Sequence, residues 1–107
     1  MGTNHQDNAR VFRALSDEKR LEIIELLRGG EKCACVLLRH MDIGQSGLSY
    51  HMKILCESGL VESRQEGKWT HYRLSESGRE KALDLLRVLT TPDTEEGSDG
   101  CGCGENK

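Results

Sequence analysis

The chain has 107 residues, 36% of them hydrophobic and 31% charged, with a formal net charge of −3. That length suits one domain with a modest core, of the kind that completes its apolar burial by pairing with a second copy. No run reaches the ~18 apolar residues of a membrane span, and residues 1–10 lack a signal-peptide core, so a cytoplasmic protein with no membrane partner is expected.

The net charge hides an uneven distribution. Residues 91–107 hold Asp93, Glu95, Glu96, Asp99 and Glu105 against Lys107, a charge of −4 that leaves +1 on the rest. A near-neutral body with a local basic strip can bind phosphate. Residues 1–8 are expected to be disordered, 9–90 to form the folded domain, and 91–107 to be a flexible acidic tail containing cysteines.

In chain order, residues 8–15 read as a short helix with Val11, Phe12 and Leu15 on one side. Ser16 offers a cap for a second helix, with Asp17 and Glu18 in its first turn and Leu21, Ile24 and Leu27 apolar, ending at Gly29-Gly30. Cys33-Ala34-Cys35 opens a third helix carrying Val36, Leu37 and Met41. Ser46 is a plausible cap for a fourth, in which Leu48, Met52 and Leu55 recur at i, i+4 and i+7. Two helices joined by so short a turn form a helix-turn-helix candidate.

Residues 60–66 and 69–74 flank Gly67-Lys68 and predict a two-stranded hairpin, with Trp69 and Tyr72 seating it on the domain. Ser75 caps a last helix running to Thr90, whose apolar coverage is wide enough to suggest a partner helix. The expected fold is therefore α+β and mostly α. It is a winged helix-turn-helix of about five helices and a hairpin wing, paired as a homodimer.

If Leu48, Met52 and Leu55 face the core, Gln45, Ser46, Gly47, Ser49, Tyr50 and Lys53 face outward. Serine and glutamine bond base edges or phosphates, glycine permits close approach, and lysine neutralises a phosphate. His51 lies beside the core stripe, within reach of a phosphate. Arg64, Lys68, His71 and Arg73 would make the hairpin a basic wing against the backbone or minor groove of double-stranded DNA.

Five cysteines in a chain without a signal segment read as thiols. Cys33 and Cys35 form one Cys-x-Cys pair and Cys101 and Cys103 another; Cys56 reads as a buried structural thiol. Soft thiolates select soft ions: arsenic(III), antimony(III), copper(I), cadmium, lead or zinc. On a regular helix, positions i and i+2 point apart, so Cys33 and Cys35 share an ion only where the backbone is extended or distorted. Trigonal arsenic takes three sulfurs and tetrahedral zinc or cadmium four, so Cys101 and Cys103 either complete the first pair or form a second site. A reversible thiol-redox switch is the alternative chemistry. With no Cys-x-x-Cys, nucleophile elbow or phosphate loop, an enzyme is not expected.

Several segments together resemble the ArsR/SmtB family of repressors, and within it the arsenical-resistance-operon repressors. Leu15-Ser16-Asp17-Glu18-Lys19-Arg20 is similar to the family's Leu-x-Asp-x-x-Arg run. Glu31-Lys32-Cys33-Ala34-Cys35-Val36-Leu37 resembles its Glu-Leu-Cys-Val-Cys-Asp-Leu metal box. Gln45-Ser46-Gly47-Leu48-Ser49-Tyr50-His51-Met52 is similar to its reading helix, and Ser58-Gly59-Leu60-Val61 with residues 67–74 to its helix exit and wing. The resemblance implies a homodimeric repressor that leaves its operator when an inducer, arsenite or antimonite, binds; cadmium, lead or zinc is the alternative. Two departures stand out. Leu38 occupies the place of a third cysteine and Val36 that of the box aspartate. Residues 76–90 contain no histidine, which argues against the family's other inducer site on the last helix.

Overall fold

The computed structural model describes residues 4–93. Five helices and three strands follow in the order α1 (His5–Ala14), α2 (Glu18–Leu27), β1 (Lys32–Cys33), α3 (Ala34–His40), α4 (Gln45–Glu57), β2 (Val61–Glu66), β3 (Trp69–Leu74) and α5 (Glu76–Thr90). This is a winged helix-turn-helix, with α3 and α4 as the helix pair and β2–β3 as the wing.

Local chemistry sets most boundaries. The Asn4 side chain accepts from the backbone N–H groups of Gln6 and Asp7, so α1 begins within the stretch expected to be disordered. Asp17, not Ser16, caps α2 by accepting from the N–H groups of Lys19 and Arg20. Ser75 caps α5 as expected, through the N–H of Gly78. The expected Ser46 cap is absent: α4 starts from Gly44 without a side-chain cap, and Ser46 lies inside the helix. Gly67 takes φ 64° at the first position of the two-residue hairpin loop, as a type II′ turn requires.

The expected two-stranded wing is a three-stranded sheet ordered β1-β3-β2. β1 pairs antiparallel with β3, Lys32 opposite Tyr72 and Cys33 opposite His71. A strand of two residues has no periodicity, and it forms here because β3 would otherwise leave an unpaired edge.

The core draws on every layer: Ala14, Ile23 and Leu27, then Leu37 and Met41, then Leu48, Met52, Ile54 and Leu55, with Val61 from the wing. Leu48, Met52 and Leu55 are buried as their spacing predicted. Tyr72 packs against this core, whereas Trp69 stands half-exposed near the wing tip and does not seat the hairpin as expected. Helix α5 buries no residue fully. Leu83, Leu86, Val88 and Leu89 are each 41–57% exposed, an apolar face that the described residues leave uncovered.

One buried charge organises the helices. Arg20, 6% exposed, donates through Nε to the Ala14 carbonyl (3.2 Å) and through Nη2 to that of Arg13 (3.1 Å). Its Nη1 lies 2.9 Å from His51 Nδ1. Arginine only donates, so Nδ1 accepts and the His51 proton sits on Nε2. The end of α1, the first turn of α2 and the middle of α4 are thereby fixed together.

Helix α5 meets the rest of the fold at Gly78, where a Cβ would collide with the carbonyl oxygen of Gly59. Both parties are backbone, so neither can rotate away. Gly78→Ala should lower stability by about 2 kcal/mol or more, the upper part of the range for overpacking. A thermal melt checks this, and an unchanged melting temperature would contradict it.

Candidate functional site

Helix α4 presents Gln45, Ser46, Ser49, Tyr50 and Lys53 to solvent, with Gly47 partly covered. Tyr50 is 55% exposed and its ring meets that of His51 edge-on at 5.2 Å. This is the outward face expected of a reading helix. His51 differs: it is largely buried, its Nδ1 engaged by Arg20 and 3.9 Å from Asp17. It holds α4 in place, and only Nε2 is free of that clamp.

The wing is less basic than the sequence suggested. Arg64 grips Glu31 (2.6 Å) and Glu66 (3.0 Å), and Arg73 grips Glu62 at 2.8 Å. His71 stands between the same two acids, 3.8 Å from Glu31 and 3.4 Å from Glu66. Arg64 holds the Glu31 carboxyl below the usual carboxylate range, and Arg73 does the same for Glu62. Of the four basic groups expected on the wing, only Lys68 makes no ion pair among the described residues. Lys53 on α4 makes none either. These pairs are exposed, so each adds little stability, yet each competes with a phosphate for the same guanidinium. Arg64 and Glu31 lie 33 positions apart, which is why the pairing is invisible in sequence.

The thiols are placed with more definition. Cys33 is both the last residue of β1 and the N-cap of α3, with φ −74° and ψ 149°. It is therefore extended, not helical as the sequence reading had it. That conformation turns its sulfur toward the next turn: Cys33 Sγ lies 3.4 Å from the Cys35 N–H and 3.0 Å from Cys35 Sγ. The two sulfurs meet without any rearrangement of the helix, so no distortion of α3 is needed to bring them onto one ion.

The hydrogen bond from the Cys35 thiol pulls the Cys33 thiol below its ordinary range, and the same bond pushes Cys35 up. The shared hydrogen bond thus biases Cys33, and not Cys35, toward the thiolate. Cys56 is partly buried against the core, and that burial pushes its thiol up, in keeping with a structural role. Cys101 and Cys103 lie outside the described residues. No cluster of three or more metal-ligating side chains occurs among the described residues.

Because the thiolate is the nucleophile, alkylation reads this asymmetry directly. Near neutral pH, iodoacetamide should modify Cys33 before Cys35, and Cys56 last. The Cys33 rate should fall as pH drops through its lowered midpoint. In Cys35→Ala, which removes the donor, that midpoint should rise. Peptide mass spectrometry resolves the sites; equal rates at Cys33 and Cys35 would contradict the assignment.

Comparison with known proteins agrees with this architecture. Residues 17–63 match the family model described as bacterial regulatory protein, arsR family. The arsenical resistance operon repressor of Staphylococcus xylosus is 36% identical over 104 residues, covering 97% of this chain and 95% of that protein. Among solved structures, an ArsR-like transcriptional regulator from Rhodococcus sp. RHA1 superposes with a TM-score of 0.70 at 30% identity, over 79% of this chain and 78% of that one. A homodimeric winged helix-turn-helix DNA-binding domain from Mycobacterium bovis gives 0.64 at 30% identity, over 78% of each chain. Its fold and its sequence relatives agree: the chain is a transcriptional regulator, not an enzyme, and belongs to the ArsR family.

Proposed function

We propose that the protein is a cytoplasmic repressor that binds double-stranded operator DNA as a homodimer and releases it when arsenic(III) or antimony(III) is taken up by cysteine thiolates. The observation that carries this reading is the Cys33–Cys35 sulfur pair, 3.0 Å apart, at the junction between α3 and a strand paired directly with the wing. The donor chemistry fits the inducer class: two sulfurs, one biased toward thiolate, favour a soft ion over a hard one. Cys101 and Cys103 would supply further sulfurs.

Dimerisation would cover the apolar face of α5, and two reading helices would then enter successive major grooves about 34 Å apart. Gln45, Ser46, Ser49 and Tyr50 would read base edges, with Gly47 allowing close approach. Lys53 and Lys68 would meet phosphates. Arg64, His71 and Arg73 would do so only by exchanging their carboxylate partners for phosphate.

The switch uses the chain's own connections. Cys33 is paired with His71, so a shift at the thiol pair is carried into β3 and the wing. Leu37 of α3 shares the core with Leu48, Met52 and Leu55, so a shift of α3 reaches the reading helix as well. An inducer releases DNA only if it binds the off-DNA arrangement more tightly, and movement of these two connections supplies the difference.

The test is operator binding titrated in parallel with arsenite, antimonite, cadmium, lead, zinc and peroxide. Cys33→Ser and Cys35→Ser should bind operator as the parent does yet ignore arsenite. Release by cadmium, lead or zinc alone would favour a divalent-metal sensor, and release by peroxide alone a redox switch. If Cys33→Ser still releases DNA at the parent's arsenite concentration, the inducer site lies elsewhere.

A further inference from the structure

One exposed face of the wing alternates in charge. Along β2, Glu62, Arg64 and Glu66 stand at every second position and so share a face of the sheet. On the neighbouring strand, Arg73 lies opposite Glu62 and His71 opposite Arg64. Glu31, just before β1, adds a third carboxylate from the far side of β3. Glu31, Glu62 and Glu66 match Arg64, Arg73 and Lys68 charge for charge.

The pairing occupies the guanidinium groups themselves. Arg64 donates through Nε (3.0 Å) and Nη2 (2.6 Å) to Glu31 and through Nη1 (3.0 Å) to Glu66, so each of its three nitrogens is engaged. Arg73 meets Glu62 through Nε (2.9 Å) and Nη2 (2.8 Å). Exposed pairs of this kind add little to stability, so the fold does not need them. Their effect falls on phosphate, which requires the same fork of donors and is repelled by a carboxylate left unpaired beside it.

Resting on the operator-binding reading above, we infer that Glu31, Glu62 and Glu66 are specificity-determining residues that keep Arg64 and Arg73 off the phosphates of unrelated DNA. Phosphate contacts carry no sequence information, yet they supply nearly all of non-specific binding. A protein bound without base contacts slides to whichever phosphates suit its charges, whereas α4 seated on its operator fixes the wing in one register. A guanidinium without its carboxylate therefore strengthens the non-specific complex more than the specific one.

The experiment compares the full-length parent with Glu31→Gln/Glu62→Gln/Glu66→Gln by fluorescence anisotropy over a salt series. Two duplexes serve as probes: one that the parent selects from a random-sequence pool, and a scramble of it with the same composition. At ~0.1 M salt the triple variant should bind the scramble at least about tenfold tighter, with a salt slope steeper by about two units per protomer, one per freed arginine. Its preference for the selected duplex should fall at least about threefold. Adding Arg64→Gln and Arg73→Gln to the triple variant should return scramble binding to the parent's level. Glu62→Gln/Glu66→Gln, which leaves β1 and its neighbour intact, should show part of the effect even where the triple variant melts below the parent. Scramble affinity and slope unchanged in both carboxylate variants, an equal gain on the two duplexes, or a gain that survives the arginine substitutions would overturn the inference. If the parent selects no sequence, the operator-binding reading falls and this inference with it. If the parent selects one and the carboxylate variants keep its full preference, this inference alone falls.

Discussion

The extended backbone at Cys33 is the constraint on which the functional architecture rests. Two rungs of antiparallel pairing hold Lys32 and Cys33 against Tyr72 and His71. Because the chain is still extended at Cys33 when α3 begins, the sulfur caps the helix and faces Cys35. Had the helix begun one turn earlier, the two side chains would point apart. One conformational choice thus creates the thiol pair and attaches it to the wing.

A second constraint acts on α4. Arg20 is buried and donates to two α1 carbonyls and to His51 of α4. Losing any of these partners would leave a buried polar group unsatisfied, which costs more than the bond contributes when made. The clamp therefore fixes the orientation of α4 more firmly than apolar packing alone would. Glu31 adds a tie on the other side, since it sits two residues before Cys33 and holds Arg64 of the wing. The thiol pair, the wing and α4 are three parts of one small frame.

Much of this frame was legible in the sequence, for reasons that separate local from non-local physics. The Leu48, Met52, Leu55 stripe, the Ser75 cap and the Gly67 turn are decided by neighbours within a few positions, and all three stand as read. Strand β1 was not legible, because two residues carry no period and the strand exists only through its partner 38 or more positions away. The Asp17 cap was displaced by one residue because Ser16 and Asp17 can both accept at a helix start. The basic wing was read from residue type alone; its neutralisation by Glu31, Glu62 and Glu66 depends on which side chains the fold brings together. The same holds for Arg20 and His51, 31 positions apart, which sequence reasoning left as a motif residue and a phosphate contact.

The proposed switch requires the thiol pair and the wing to move together through the β1–β3 pairing. Amide hydrogen exchange of the full-length protein with and without arsenite measures this most directly, since exchange reports the opening of individual hydrogen-bonded segments. Protection should change together in residues 31–36 and 69–74 of the parent and in neither segment of Cys33→Ser. Arsenite-induced release of operator with exchange in residues 69–74 unaltered would show that the wing does not move with the thiol pair.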